Sequence, residues 1–211
     1  MTFSVIAIDS VSGDLGIAVA SKILAVGSFV PHAIAEIGAV ATQSFANLNY
    51  ATDGLCLMSL GYSPKEIIIH VTSKDPEASI RQVAMINAQG EVFAFTGKNC
   101  VPWTGHYIGE NYIVLGNMLT GPEVLEFMRT TWENLKPSNY SFPEKLLITL
   151  EAGEVAGGDK RGKQSAAILV VRKNGGYGGF NDRLIDLRVD HSENPLIYLR
   201  KALEYKLKYR W

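Results

Sequence analysis

Thr2 is the residue whose type and place carry the most chemistry. A small second residue favours removal of Met1, after which Thr2 would hold a hydroxyl and a free α-amine together. Such an amine is a weak base, with an ordinary pKa of about 7.7–8.0. A threonine activated by its own amine is a nucleophile for acyl transfer. The plainer reading is that Met-Thr opens an edge strand, since threonine is an ordinary strand former. A second candidate is the polar stretch Asp159-Lys160-Arg161-Gly162-Lys163-Gln164-Ser165, which follows Gly157-Gly158 and precedes an apolar run. Glycines let backbone amides approach a ligand. Arg161 could hold a carboxylate in two-pronged fashion, with Gln164 beside it as a second substrate-binding candidate. The plainer reading here is a solvated loop with a glycine turn.

Gln43, Ser44 and Asn47 end an apolar run, where they could bind a substrate amide or its oxyanion. Strand-end and turn hydrogen bonding is their plainer role. His106, after Trp103-Thr104-Gly105, could exchange protons with a substrate. A histidine in a glycine-containing loop is more commonly just hydrogen-bonded. His32, His70 and His191 share no ligand spacing with it, so no metal site is expected. Cys100 has Lys98 nearby but no histidine placed to activate it. Gly175-Gly176-Tyr177-Gly178-Gly179 lacks the strand–GxGxxG–helix setting of a dinucleotide loop, and the phosphate-cradling GxxxxGKS/T pattern is missing. No cofactor is expected.

These residues need elements to hold them. Thr2 to Lys22 reads as two alternating apolar runs around Asp9-Ser10-Val11-Ser12-Gly13-Asp14, the pattern of a β-hairpin. A turn centred near Val11 and Ser12 makes paired positions sum to about 23, which sets Thr2 opposite Ser21 with Lys22 one step on. Residues 23–31 read as a small-residue connection. A third strand is expected over 38–45, then helices over 50–60 and from Pro64, the second with a Ser63/Glu66 capping box. Gly61 suits the end of the first. Strands follow over 82–86, 92–96 and 112–115, with Asn87-Ala88-Gln89-Gly90 as a tight turn. Helices start at Gly121-Pro122-Glu123 and at Phe142-Pro143-Glu144, the latter stopped by Gly153. Strands over 165–172 and 184–190 and a helix from Asn194-Pro195 complete the chain. Paired helices beside neighbouring strands predict an α+β fold in one domain, residues 1–211. The expected form is a four-layer αββα sandwich of two antiparallel sheets flanked by helices.

The 211 residues carry a net charge of −1, which gives no support for binding nucleic acid or an anionic membrane. Two cysteines make no disulfide framework and suit a reducing compartment. The N-terminus lacks the pattern of a signal peptide, and no apolar run approaches the roughly 20 residues of a membrane span. A cytoplasmic protein is expected, and its apolar content is compatible with a homodimer.

Several longer segments carry a resemblance: TFSVIAID at 2–9, VASKILAVG at 19–27, GAVATQSFAN at 38–47, TGKNCVPWTGH at 96–106, GNMLTGPEV at 116–124 and EAGEVAGGDKRGKQSAAILVV at 151–171. Through them the chain resembles the domain of unknown function 1028 family, assigned by fold to the N-terminal nucleophile (Ntn) hydrolases. That superfamily cuts amide bonds with an N-terminal Thr, Ser or Cys, and Thr2 stands at the matching position. Proteasome-type relatives place an acid in the second strand and a lysine at the start of the third. Here Ala18, Ala20 and Ser21 occupy the second strand and Gly38 opens the third. Lys22 resembles the basic residue those relatives keep after their acid, and Asp159 could supply the acid itself. The resemblance thus implies an amidohydrolase with Thr2, Lys22 and Asp159 as catalytic residues. Its substrate would be a small-molecule or peptide amide, met by Gln43, Ser44, Asn47, His106, Arg161 and Gln164. The competing expectation is a catalytically inactive module that uses the fold for ligand binding or assembly.

Overall fold

The computed structural model describes residues 2–209, so the expected loss of Met1 lies outside the described residues. The chain opens with four strands, β1 (Thr2–Ile8), β2 (Leu15–Ser21), β3 (Pro31–Ile34) and β4 (Gly38–Ser44). Helices α1 (Asn49–Ser59) and α2 (Pro64–Ser73) follow. Four more strands come next, β5 (Arg81–Asn87), β6 (Val92–Thr96), β7 (Gly105–Gly109) and β8 (Tyr112–Asn117). Then come α3 (Glu123–Leu135), α4 (Phe142–Val155), β9 (Ser165–Val171), β10 (Arg183–Val189) and α5 (Pro195–Lys208). The strands form two antiparallel sheets, ordered β10-β9-β2-β1-β8-β7 and β3-β4-β5-β6.

The first hairpin has the register that its turn requires: Thr2 faces Ser21 and Ile8 faces Leu15. On its other side β1 pairs with β8, which sets Thr2 opposite Asn117. β1 is therefore an interior strand with both faces covered. Phe3, Val5 and Ala7 join Val124, Met128, Leu146 and Leu150 of α3 and α4 in one apolar cluster. Ile6 and Ile8 point the other way and meet Ala39, Ala41, Ala84 and Ile86 of the second sheet. Small alanines there let the two sheets approach closely. The far face of that second sheet, with Val40, Val83 and Met85, is covered by Tyr50, Leu55, Ile67 and Val71 of α1 and α2.

Two strands escape the sequence reading, and both lie at sheet edges. β3 begins on a proline, tolerable at an edge where one face of the ladder is empty, and its residues are half-buried or exposed. β7 has glycine at both ends and no alternation. The Ser63/Glu66 capping box and the left-handed Gly61 (φ +91°) stand as expected.

Gly153 does not stop α4, which continues to Val155 before Gly157 and Gly158 turn the chain at positive φ. Gly153 is needed for closeness instead. A Cβ there would stand 2.7 Å from the Met128 sulfur and 3.1 Å from a Phe3 ring carbon. Gly→Ala inside a helix ordinarily stabilises by roughly 1 kcal/mol. At Gly153 the expected sign is reversed, because overfilling a core costs about 1–3 kcal/mol. The urea midpoint of Gly153→Ala should fall; a raised midpoint would mean Met128 swings aside freely.

Candidate active site

Thr2 sits at the end of β1 with its hydroxyl 3.2 Å from that of Ser21, the cross-strand pairing having put the two side chains on one face. It is 5% exposed. Alternation puts Thr2 on the same face as Ser4 and Ile6, toward the second sheet. Gln43, reaching across from β4, donates to the Thr2 carbonyl (3.3 Å) and accepts from the Ser4 hydroxyl (2.6 Å). Its second amide proton goes to the Gln82 side-chain oxygen (2.8 Å), which also accepts from Asn117 (3.0 Å). The Gln82 amide nitrogen in turn reaches Thr96 Oγ1 and the carbonyls of Gly105 and Gly116, all at 2.9–3.0 Å. Two hydrogens thus serve three acceptors. Thr96 Oγ1 lies 2.9 Å from His106 Nδ1. With Thr96 as the donor of this bond, the imidazole is neutral and protonated on Nε2; the other tautomer reverses the bond. Burial, which pulls the His106 pKa down, agrees. His106 is therefore the outer end of a buried hydrogen-bond chain that begins at Thr2.

The glycine-flanked loop is the second part of the site. The Asp159 carboxylate is buried and accepts from the backbone amides of Lys22 (2.8 Å) and Arg161 (2.8 Å), with the Arg161 guanidinium beside it (3.2 Å). Gln164 N donates to the Ser21 carbonyl (3.1 Å), while its side chain lies against His191 (3.3 Å). On the other side Asp159 bridges to Leu119, and Thr120 N donates to the Gly158 carbonyl (3.1 Å). The loop thus contacts the ends of both β2 and β8, the strands that flank Thr2. A small cavity of about 80 Å³ lies under it, lined by Phe3, Ser21, Glu154 and Asp159 among others. The Lys22 ammonium does not turn toward Thr2; it donates to the Lys163 carbonyl (3.0 Å).

Asn47 is placed elsewhere. Its side chain donates to Asp75 (3.0 Å), and both line a cleft of about 490 Å³ between α1 and α2, shared with Tyr50, Cys56 and His70. Ser44 closes β4 in a left-handed conformation (φ +69°) next to Cys100. The Cys100 thiol is pushed up by burial, despite hydrogen bonds from Ser44 and the Gly97 backbone, and so is a poor thiolate. Gln82, Asn117 and Thr96 are the residues that sequence reasoning missed; Ser21 was read as the cross-strand partner of Thr2 but not as part of the site. Among the described residues, no group of three or more His, Cys, Asp or Glu could hold a metal. No helix there is long and apolar enough to cross a membrane.

The loop after β4 is pinned by Asp75. Burial would raise its pKa, but hydrogen bonds from Asn47, the Glu77 amide, Tyr50 and Arg81 outweigh that and hold it well below the usual carboxylate range. A carboxylate whose pKa is depressed by folding stabilises the fold above its unfolded value of about 3.9, and that contribution is lost as pH falls below it. Wild-type urea midpoints should therefore drop as pH falls from about 4 toward 2. Asp75→Asn should be less stable at neutral pH and show a shallower drop. An unchanged slope would mean another carboxylate carries the acid sensitivity.

The family model described as "Family of unknown function (DUF1028)" matches residues 2–199. No curated protein matches the chain. The chain is similar to the crystal structure of protein SPO2555 from Silicibacter pomeroyi, matched to the same family model. That likeness has a TM-score of 0.89 and 29% identity, covering 99% of this chain and 87% of that one. A more distant likeness, at TM-score 0.40 and 12% identity, is to Anbu (ancestral beta-subunit) from Yersinia bercovieri, covering 99% of this chain and 95% of that one.

Proposed function

The chain belongs to the DUF1028 family, a family of unknown function, and from that premise we propose that it is an N-terminal-nucleophile amidohydrolase with Thr2 as nucleophile. We read the three stacked apolar clusters as an αββα sandwich, the architecture that chemistry uses. The observation that carries the proposal is the setting of Thr2. Its hydroxyl lies at the end of an interior strand, hydrogen-bonded to Ser21, with its carbonyl held by Gln43 and a loop contacting the strand ends on both sides.

In the processed chain the Thr2 α-amine takes the hydroxyl proton as Oγ1 attacks the substrate carbonyl. The tetrahedral intermediate collapses, the C–N bond breaks, and the ammonium returns its proton to the departing amine. Water, deprotonated by the same amine, then cleaves the acyl ester and frees Oγ1. Asp159, one residue beyond the Thr2–Ser21 pair through its bond to Lys22 N, offers a fixed negative charge that favours the transient ammonium. Lys22 acts here through its backbone. Gln43 positions Thr2 and has both amide protons committed, so it serves as a support and not as an oxyanion donor. Ser44, Arg161, Gln164 and His106 are assigned to the substrate side, while Asn47 supports the β4–α1 loop through Asp75.

The test is covalent. Met-free protein incubated with an electrophilic β-lactone should gain one adduct, located on Thr2 by peptide mass spectrometry. Adduct on Cys56 or Cys100 alone, or none at all, would overturn the proposal. The second reading, a binding module without catalysis, is favoured by the burial of Thr2. It predicts that protein from the native host retains Met1.

A further inference from the structure

We infer that the groove between α1 and α2 binds a free α-amino acid with an apolar side chain. The groove lies across the second sheet from β1, so it does not rest on the chemistry of Thr2. The two helices are joined by residues 60–63 alone, which makes them a hairpin. Asn49, Asp53 and Leu57 recur every four residues along one stripe of α1. His70 and Lys74 do the same at the end of α2. Both stripes line the cleft of about 490 Å³. A second cavity of about 280 Å³ continues it toward the turn; Leu57 and His70 line both, and Tyr62 and Ile67 flank the second. The first volume alone falls within the ~300–1,000 Å³ of small-molecule sites.

The groove is polar at its open end and more apolar at its turn end. Its charged lining is Asp53, Lys74 and Asp75 in the first cavity and Glu66 in the second. Asp75 is committed to Asn47, Tyr50 and Arg81. Glu66 is committed to Ser63 in the capping box. Asp53 and Lys74 remain. Among the described residues neither side chain has an ion pair or hydrogen bond, with the other or with any third group. Opposite charges on two helices, lining one cavity without touching, leave a gap for a ligand that carries both signs. An α-amino acid has its ammonium and carboxylate on one carbon. The ammonium pairs with Asp53 and the carboxylate with Lys74, over a floor that includes buried Tyr50 and Val71. The side chain runs past Leu57 into the lobe beside Tyr62 and Ile67. A metal is not the occupant: among the described residues no group of three or more His, Cys, Asp or Glu could hold one.

The experiment is an NMR titration of the isotope-labelled full chain with L-leucine, leucinamide, N-acetylleucine and N-acetylleucinamide. These carry both charges, the ammonium alone, the carboxylate alone and neither. Leucine should shift the amides of Asn49, Asp53, His70 and Lys74 saturably. Leucinamide and N-acetylleucine should each bind about five-fold more weakly, the worth of one partly exposed ion pair. Glycine should also bind more weakly than leucine, since it leaves the apolar lobe empty. Asp53→Asn should erase leucine's advantage over N-acetylleucine, and Lys74→Met its advantage over leucinamide. Both side chains are exposed and unpaired, so the two variants should keep the wild-type urea midpoint. Leucine shifts centred on Ser21 and Lys22 would place it beside Thr2 and overturn this site. No saturable shift in the groove, or equal affinity for all four compounds, would overturn it as well.

Discussion

Met-free Thr2→Ala is expected to lose at least about 10³-fold in amide hydrolysis while keeping a near-native melting temperature. The fold has little at stake in this side chain. The substitution removes one hydroxyl–hydroxyl contact with Ser21, worth about 1 kcal/mol, and β1 keeps its backbone pairing with β2 and β8 on either side. Chemistry has everything at stake, since the hydroxyl is the bond-forming atom. Thr2→Ser should retain much of the rate. The amine must be neutral to act as the base, so the rate should climb with pH through about 8 and flatten above the amine pKa. Chains that retain Met1 should be silent at every pH. Activity from a Met1-retaining sample, or from Thr2→Ala, would transfer the chemistry to another residue.

How much of this was legible follows from how local each signal was. The hairpin register needed only a turn and two alternating runs, so the Thr2–Ser21 pair could be read before any coordinates. The link between Asp159 and Lys22 spans 137 positions; no spacing rule reaches that far, although the glycines around 157–162 pointed to the right loop. Asn47 was assigned to the same end of the molecule as Gln43 because the two are close in sequence. The left-handed Ser44 instead sends the chain away to α1, where Asn47 meets Asp75. Edge strands β3 and β7 lack alternation because only part of each is covered. Gln82 was the costliest omission. From Val83 to Ile86 β5 is apolar on both faces, and a glutamine beside that run, between two sheets, must find partners.

That omission leads to the largest expected loss of stability. Gln82 is fully buried, and its side chain touches five groups: Gln43, Asn117, Thr96 and the carbonyls of Gly105 and Gly116. Gln82→Met keeps the length of the side chain but leaves the Gln43 and Asn117 amides without their acceptor. An unsatisfied buried group costs about 1–3 kcal/mol, so the variant should lose roughly 3–5 kcal/mol, read as a fall in urea midpoint at unchanged slope. Gln43 also carries the Thr2 carbonyl, so the same variant, assayed well below its melting temperature, should lose kcat more than it raises KM. The double variant Gln43→Met/Gln82→Met separates the network from mere loss of volume. Removing both partners of a buried hydrogen bond costs less than removing them one at a time, so its destabilisation should fall short of the sum of the singles by about 1 kcal/mol or more. Strict additivity would mean that the two glutamines act independently, and that Thr2 is positioned by its backbone neighbours alone.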